Sequence, residues 1–104
     1  MNLRYWVYIL SCSNGNYYTG YTTDLARRYQ EHLAGTAKCK YTRSFKPTGL
    51  AQAWVVKESK ATALKMEAFI KKLPRSEKEQ LILKPTLLSQ QFSCRVWKAK
   101  IPDL

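Results

Sequence analysis

Acidic side chains are scarce in this chain of 104 residues: seven Asp and Glu stand against eighteen Lys and Arg, a formal charge of +11. That excess is more than a small domain needs for solubility and favours a polyanionic partner. Nucleic acid fits better than a membrane surface, because no basic amphipathic helix with a broad apolar face stands out. Phosphate contacts would make such binding fall steeply with salt. Long apolar runs are also lacking. The longest candidate, Tyr5 to Leu10, has a strand's length, well short of the roughly 18 to 20 residues of a membrane span. The opening Met1-Asn2-Leu3-Arg4 has no charged-then-apolar layout of a signal peptide, so a cytosolic protein is expected. The three cysteines, Cys12, Cys39 and Cys94, are far apart and form no C-x-x-C pair, which argues against a disulfide framework or zinc knuckle. Histidine occurs once, as His32, so any Cys/His arrangement must be built around that residue. No internal repeat or low-complexity segment is present. What remains is a globular composition, 45% hydrophobic and 12% aromatic, in a length that fits one domain.

Tyr5 to Ser11 is rich in aromatic and β-branched residues, and both alternating sets are apolar: Tyr5, Val7 and Ile9 on one face, Trp6, Tyr8 and Leu10 on the other. That pattern predicts a strand covered on both faces. Asn14-Gly15 predicts a hairpin turn, with Tyr17 to Tyr21 as the returning strand. Thr22, Thr23 and Asp24 offer caps for a helix that runs to Ala34 and stops at Gly35. Its inner stripe is Leu25, Tyr29 and Leu33, and Arg28 and His32 are expected at the edge of that stripe, facing the sheet margin. Gly35 to Gly49 reads as a loop in which Lys38, Lys40, Arg43 and Lys46 alternate with Tyr41 and Phe45, a mixture suited to phosphate contact and base stacking. Leu50 to Val56 is a third strand. Ser59 caps a second helix through Leu73, ended by Pro74, and Ser76 with Glu79 suggests a capping box for a short third helix, Glu77 to Leu83, closed by Pro85. The expected fold is α+β, a small three-stranded antiparallel sheet flanked by helices in the order β-β-α-β-α-α. Residues 1–84 form the domain. Residues 85–104 are an extension too apolar for a free tail, which packs on the body, adds an element or meets a partner.

Three features bear on chemistry. Tyr8 and Tyr18 lie on partner strands of one hairpin and can bring their hydroxyls to one face, although buried tyrosines more often serve as core. Glu67 is a lone carboxylate on the margin of a helix whose other charges, Lys60, Lys65, Lys71 and Lys72, are basic. It is either a surface acid paired with Lys71 at i+4 or a ligand for Mg²⁺, which takes one or two carboxylates plus waters and phosphate oxygens. Arg28 can hold a phosphate bidentately, and His32 one turn on can carry a proton or serve structure.

Val7-Tyr8-Ile9, then Tyr18-Thr19-Gly20 after a short hairpin, then Arg28, then Glu67 on a later helix, resembles the GIY-YIG nuclease domain found in homing endonucleases, some restriction enzymes and the N-terminal part of an excinuclease. The stretches YWVYIL, YYTGYTTDLARRYQEH, KYTRSFKP and ALKMEAFIKKLPRSEKEQLI resemble its small stand-alone bacterial subgroup, and the likeness spans Leu3 to Lys84. The resemblance implies that Tyr8 and Tyr18 line the site and help activate or position water. It implies that Gly20 sits where backbone must approach closely, that Arg28 binds phosphate and that Glu67 holds one Mg²⁺ or Mn²⁺. It also implies that His32 is a general base or phosphate contact. Trp6 and Thr19 replace the first glycine and the middle isoleucine of the two motifs. Tyr21 stands where some relatives carry lysine, which leaves the identity of the base open.

The implied activity is metal-dependent phosphodiester hydrolysis by an endonuclease acting on nucleic acid, DNA more than RNA. It requires Glu67, Arg28 and both tyrosines to face a common cleft. The alternatives are a binding module without turnover, using the basic surface alone, and an adaptor using the apolar extension around Phe92 and Trp97. Salt separates them, since nucleic-acid binding weakens as ionic strength rises.

Overall fold

The protein is described here by a computed structural model over residues 4–35, 40–56 and 59–97. Strand β1 (Tyr5–Cys12) turns through Cys12–Asn16 into β2 (Tyr17–Thr22). At that turn Gly15 sits at φ 82°, a left-handed conformation that glycine adopts without strain, and its N–H donates to the Cys12 carbonyl at 2.9 Å. Helix α1 (Leu25–Ala34) follows, capped by the Asp24 carboxylate, which accepts from the Arg27 N–H, and ended by Gly35 at φ 68°. A short helix α2 (Lys40–Ser44) leads to β3 (Pro47–Val56). Helix α3 (Lys60–Lys72) is capped by Ser59, whose hydroxyl accepts from the Thr62 N–H. Then come α4 (Arg75–Leu83), α5 (Thr86–Ser89) and β4 (Arg95–Val96).

The sheet is antiparallel with strand order β2-β1-β3-β4, so β1 is central and β2 forms one edge. Its two faces carry separate cores. Val7, Ile9, Trp54 and Val56 pack with Ala63, Met66 and Ile70 of α3, with Leu81 and with Leu88. Tyr8, Leu10 and Ala53 pack with Leu25 and Tyr29 of α1 on the other face. Burying a side chain as large as Ile70 or Trp54 contributes about 1.5–3 kcal/mol, and both are fully enclosed. The doubly apolar pattern of β1 therefore has its expected cause: a helical layer lies on each side.

Three expectations need correction. The sheet has four strands, because Arg95 and Val96 pair with Val55 and Trp54. The Trp97 N–H donates to the Ala53 carbonyl at 2.9 Å, and the Trp97 ring meets Trp6 edge-on, so this part of the extension packs on the body and covers the β3 edge. The stretch read as a loop contains α2, and β3 starts at Pro47, its first position, where a missing N–H costs no ladder bond. The capping box does not form. Pro74 begins the helix earlier, with no side-chain cap, and Ser76 falls inside it. Among the described residues, no helix is long and apolar enough to cross a membrane.

Candidate active site

The register pairs Tyr8 with Gly20 and Leu10 with Tyr18, so both tyrosines project from the face that α1 covers. Gly20 is required there by contact: a Cβ at that position would lie 2.6 Å from the Tyr8 hydroxyl and 2.8 Å from its Cζ. Every larger side chain would push Tyr8 out of place. The Tyr8 hydroxyl lies 2.8 Å from His32 Nε2, and His32 Nδ1 lies 2.7 Å from the Thr42 hydroxyl. Tyr8 is 2% exposed, and His32 and Thr42 are fully buried. A neutral imidazole has one N–H, so it donates across one of these contacts and accepts across the other. Burial pushes the His32 pKa down from 6.5 to about 4, with the Arg28 charge adding to the effect and Glu31 opposing it. His32 is therefore a neutral core group near neutral pH. The expectation that it would face the sheet margin is corrected: α1 rolls it inward, where Tyr8 and Thr42 satisfy both nitrogens.

Tyr18 is half-buried, with its ring 6.5 Å from Tyr8 and 5.0 Å from His32. On its outer side Tyr41 stacks at 5.9 Å and 24°, and Phe45 follows at 5.4 Å. The Tyr41 hydroxyl accepts from the Asn14 side-chain amide at 3.0 Å, which ties α2 to the hairpin turn. An aromatic row thus runs outward from the tyrosine cluster. Of the basic residues expected in this stretch, Lys46 is exposed. Lys40 and Arg43 belong to α2, but their side chains, like all of Lys38, lie outside the described residues.

Arg28 is one turn before His32 on α1, half-buried, with Nη1 2.9 Å from Glu31 Oε1. Beside it a cleft of about 530 Å³ is lined by Tyr21, Thr22, Arg27, Arg28, Glu31 and, from α3, Lys60. Glu67 belongs to the opposite layer. Its side chain is 18% exposed, with Oε1 3.6 Å from Lys71 Nζ. At 100° per residue, Lys60, Glu67 and Lys71 fall within about 40° of one another on α3. Lys71 lines a second cleft, of about 370 Å³, with Tyr17, Tyr18 and Thr19. Lys60 and Lys71 thus both reach the free edge of β2, and Glu67 lies between them on the same helix face.

The structure gathers Tyr8, Tyr18 and His32, with Arg28 beside them. It does not bring Glu67 into contact with that cluster, and the two groups approach the β2 edge from opposite faces of the sheet. Thr42 was missed by sequence reasoning. It stands in a basic, aromatic stretch, and nothing local marks a threonine whose partner is a ring ten positions back. Among the described residues no three His, Cys, Asp or Glu side chains cluster as a metal cage. A lone, mostly shielded carboxylate fits a hard cation that keeps its waters and borrows phosphate oxygens, and it does not fit zinc.

The GIY-YIG catalytic domain family matches residues 4–80. UPF0213 proteins are similar over most of the chain. That of Halobacterium salinarum is 48% identical over 75 residues, 72% of this chain and 95% of the relative. That of Halalkalibacterium halodurans is 44% identical over 80 residues, 77% and 83% of the two chains, and that of Haloquadratum walsbyi is 41% identical over 90 residues, 86% and 99%. The solution NMR structure of the UPF0213 protein BH0048 from Bacillus halodurans matches at 40% identity over 86% of each chain, with a TM-score of 0.48. Both motifs, the α1 arginine and the α3 glutamate fall inside the matched span, and this chain belongs to the GIY-YIG family of nuclease domains, alongside its small stand-alone members.

Proposed function

We propose that the protein is an endonuclease that hydrolyses phosphodiester bonds in nucleic acid, DNA in preference to RNA, with one Mg²⁺ or Mn²⁺. The observation that carries the reading is a link across one free strand edge: Tyr18 of the tyrosine–histidine–arginine cluster lines a cleft with Lys71, and Lys71 Nζ lies 3.6 Å from the lone carboxylate Glu67. Glu67 would hold the ion, which when bound polarises the scissile phosphate and neutralises the leaving oxygen. Arg28 swings from Glu31 to the phosphate and offsets the charge that builds on it. Tyr18, the half-exposed phenol of the pair, meets the attacking water. Arg28 supplies a cation on the same side of the sheet. Tyr8 and His32 are too enclosed to meet bulk water. Their role is to hold: we assign Tyr8 as donor to His32 Nε2 and the His32 Nδ1–H as donor to Thr42, one of the two tautomers that the contacts of 2.8 and 2.7 Å accommodate. In this reading His32 positions and does not itself serve as the base.

One panel tests this: single- and double-stranded DNA and RNA incubated with the protein in Mg²⁺, Mn²⁺ or EDTA. Glu67→Ala should abolish metal-dependent cleavage, a loss of about 10³-fold or more, with binding in EDTA largely intact. Cleavage by the variant at the parental rate would remove Glu67 from the metal site. A second reading, binding without turnover, draws on the Arg28–Glu31 and Glu67–Lys71 pairs, which already give both groups partners. It predicts salt-sensitive binding and no product under any metal.

A further inference from the structure

The proposed chemistry uses Tyr18 and leaves the basic side chains that share its cleft, from α3 and α4, unassigned. That cleft of about 370 Å³ is framed by two layers at once. From the sheet come Tyr17, Tyr18 and Thr19, and from the helices come Lys71, Arg75 and Lys78. The Arg75 guanidinium lies over the Tyr17 ring at 5.6 Å, a cation–π contact that holds it at the cleft. Thr19, in the wall, is 3% exposed, and its hydroxyl has no hydrogen-bond partner among the described residues. Two carboxylates are nearby: Glu67, 3.6 Å from Lys71 Nζ, and Glu79, which accepts from the Tyr17 hydroxyl at 3.4 Å and lies 3.8 Å from Arg75 Nε. Both members of the Arg75–Glu79 pair are about half exposed, so it holds Arg75 only weakly.

At the other end of β2 lies the larger cleft with Arg27, Arg28 and Lys60. Lys60 and Lys71 are separated by about 16 Å of helix at 1.5 Å per residue, the rise of about five stacked nucleotides. Glu67 falls between them on the helix, and Tyr18 stands at the Lys71 end. We infer that the β2 edge is the track of one nucleic-acid strand, and that Lys71, Arg75 and Lys78 form a phosphate-binding site on the α4 side of the reacting centre. This extends the nuclease reading by assigning the path of the substrate backbone. It also gives α4 a function, since Arg75 and Lys78 hold phosphates without contacting the reacting atoms.

The test is equilibrium binding in EDTA of a short fluorescein-labelled DNA duplex and of its single strand, over a salt series, with the full chain. Arg75→Glu combined with Lys78→Glu should weaken binding about tenfold and lower the salt slope by roughly two, one per lost phosphate contact. Arg75→Gln with Lys78→Gln should act in the same direction less strongly, which guards against a folding defect caused by reversed charge. A charge-matched control, Lys84→Glu with Arg95→Glu, lies away from the β2 edge and should stay within about twofold of the parent. Equal weakening by the control, or no weakening by the edge variants, overturns the track. Binding that follows this pattern in a protein that never cleaves would sink the nuclease reading alone. Cleavage at parental efficiency by the edge variant would sink the track alone.

Discussion

On the α3 side, β1 buries Val7 and Ile9 against Ala63, Met66 and Ile70, hydrocarbon or thioether throughout. On the α1 side the same strand buries Tyr8 beside His32 and Thr42, joined by contacts of 2.8 and 2.7 Å. A buried polar chain of that kind adds little net stability, and each member left without its partner costs about 1–3 kcal/mol. The apolar face therefore holds the fold together. The polar face holds two phenols and an imidazole in fixed relation beside Arg28, and Gly20 makes that possible by leaving the space that the Tyr8 hydroxyl fills.

The sharpest way to break this contrast is Gly20→Ala. The added methyl would sit 2.6 Å from the Tyr8 hydroxyl, and the enclosed ring cannot swing away freely. Cleavage should fall about a hundredfold or more, as a displacement near 1 Å commonly causes, with a stability loss of about 1–3 kcal/mol from overpacking. Rate measurements on protein shown to be folded by circular dichroism check it, and an unaffected rate would mean that Tyr8's position does not matter. Ile70→Ala is the counterpart on the other face. It should cost about 2–5 kcal/mol in urea unfolding while the folded fraction cleaves at close to the parental rate.

These contrasts differ in how far the sequence announces them. The apolar face was legible because hydrophobic alternation in β1 and helical spacing at Met66 and Ile70 are local signals, and Asp24, Ser59 and Gly35 mark the helix ends as cap chemistry requires. The polar face was legible only as motifs. Tyr8, Tyr18 and Arg28 were visible, but whether His32 points outward or inward depends on the roll of α1 on the sheet. Thr42 gains meaning only when α2 folds back over α1. Strand β4 is two residues long and exists because β3 offers an open edge, which no property of Arg95 or Val96 discloses. Glu67 could be placed on a helix margin, but which sheet face that helix covers depends on the crossover from β3.

A milder probe is pH. His32 titrates near 4 when folded and near 6.5 when free, so between those values the unfolded chain binds the extra proton. Stability should therefore rise with pH through that window and fall as acid enters it, by up to about 3 kcal/mol from this group. Urea midpoints measured from pH 7 down to pH 4 test this, and His32→Gln should flatten the dependence across the window. An equally steep dependence in the variant would assign the effect to other groups.

The smallest expected change separates holding from catalysing. Thr42→Val keeps the shape of the side chain and removes the oxygen 2.7 Å from His32 Nδ1. The apolar replacement leaves that nitrogen buried without a partner, at about 1–2 kcal/mol, and frees the ring to adopt the other tautomer, with the proton on Nε2. Tyr8 would then face a donor where it had an acceptor, and its own hydroxyl would have to turn. Cleavage should drop about tenfold with binding in EDTA unchanged, and Thr42→Ser should restore most of the rate because it returns the oxygen. If threonine matters only as packing, valine and not serine will be the benign substitution. That reversal would show the α1 face to be a core like its opposite, with polar atoms placed in it for no mechanistic purpose.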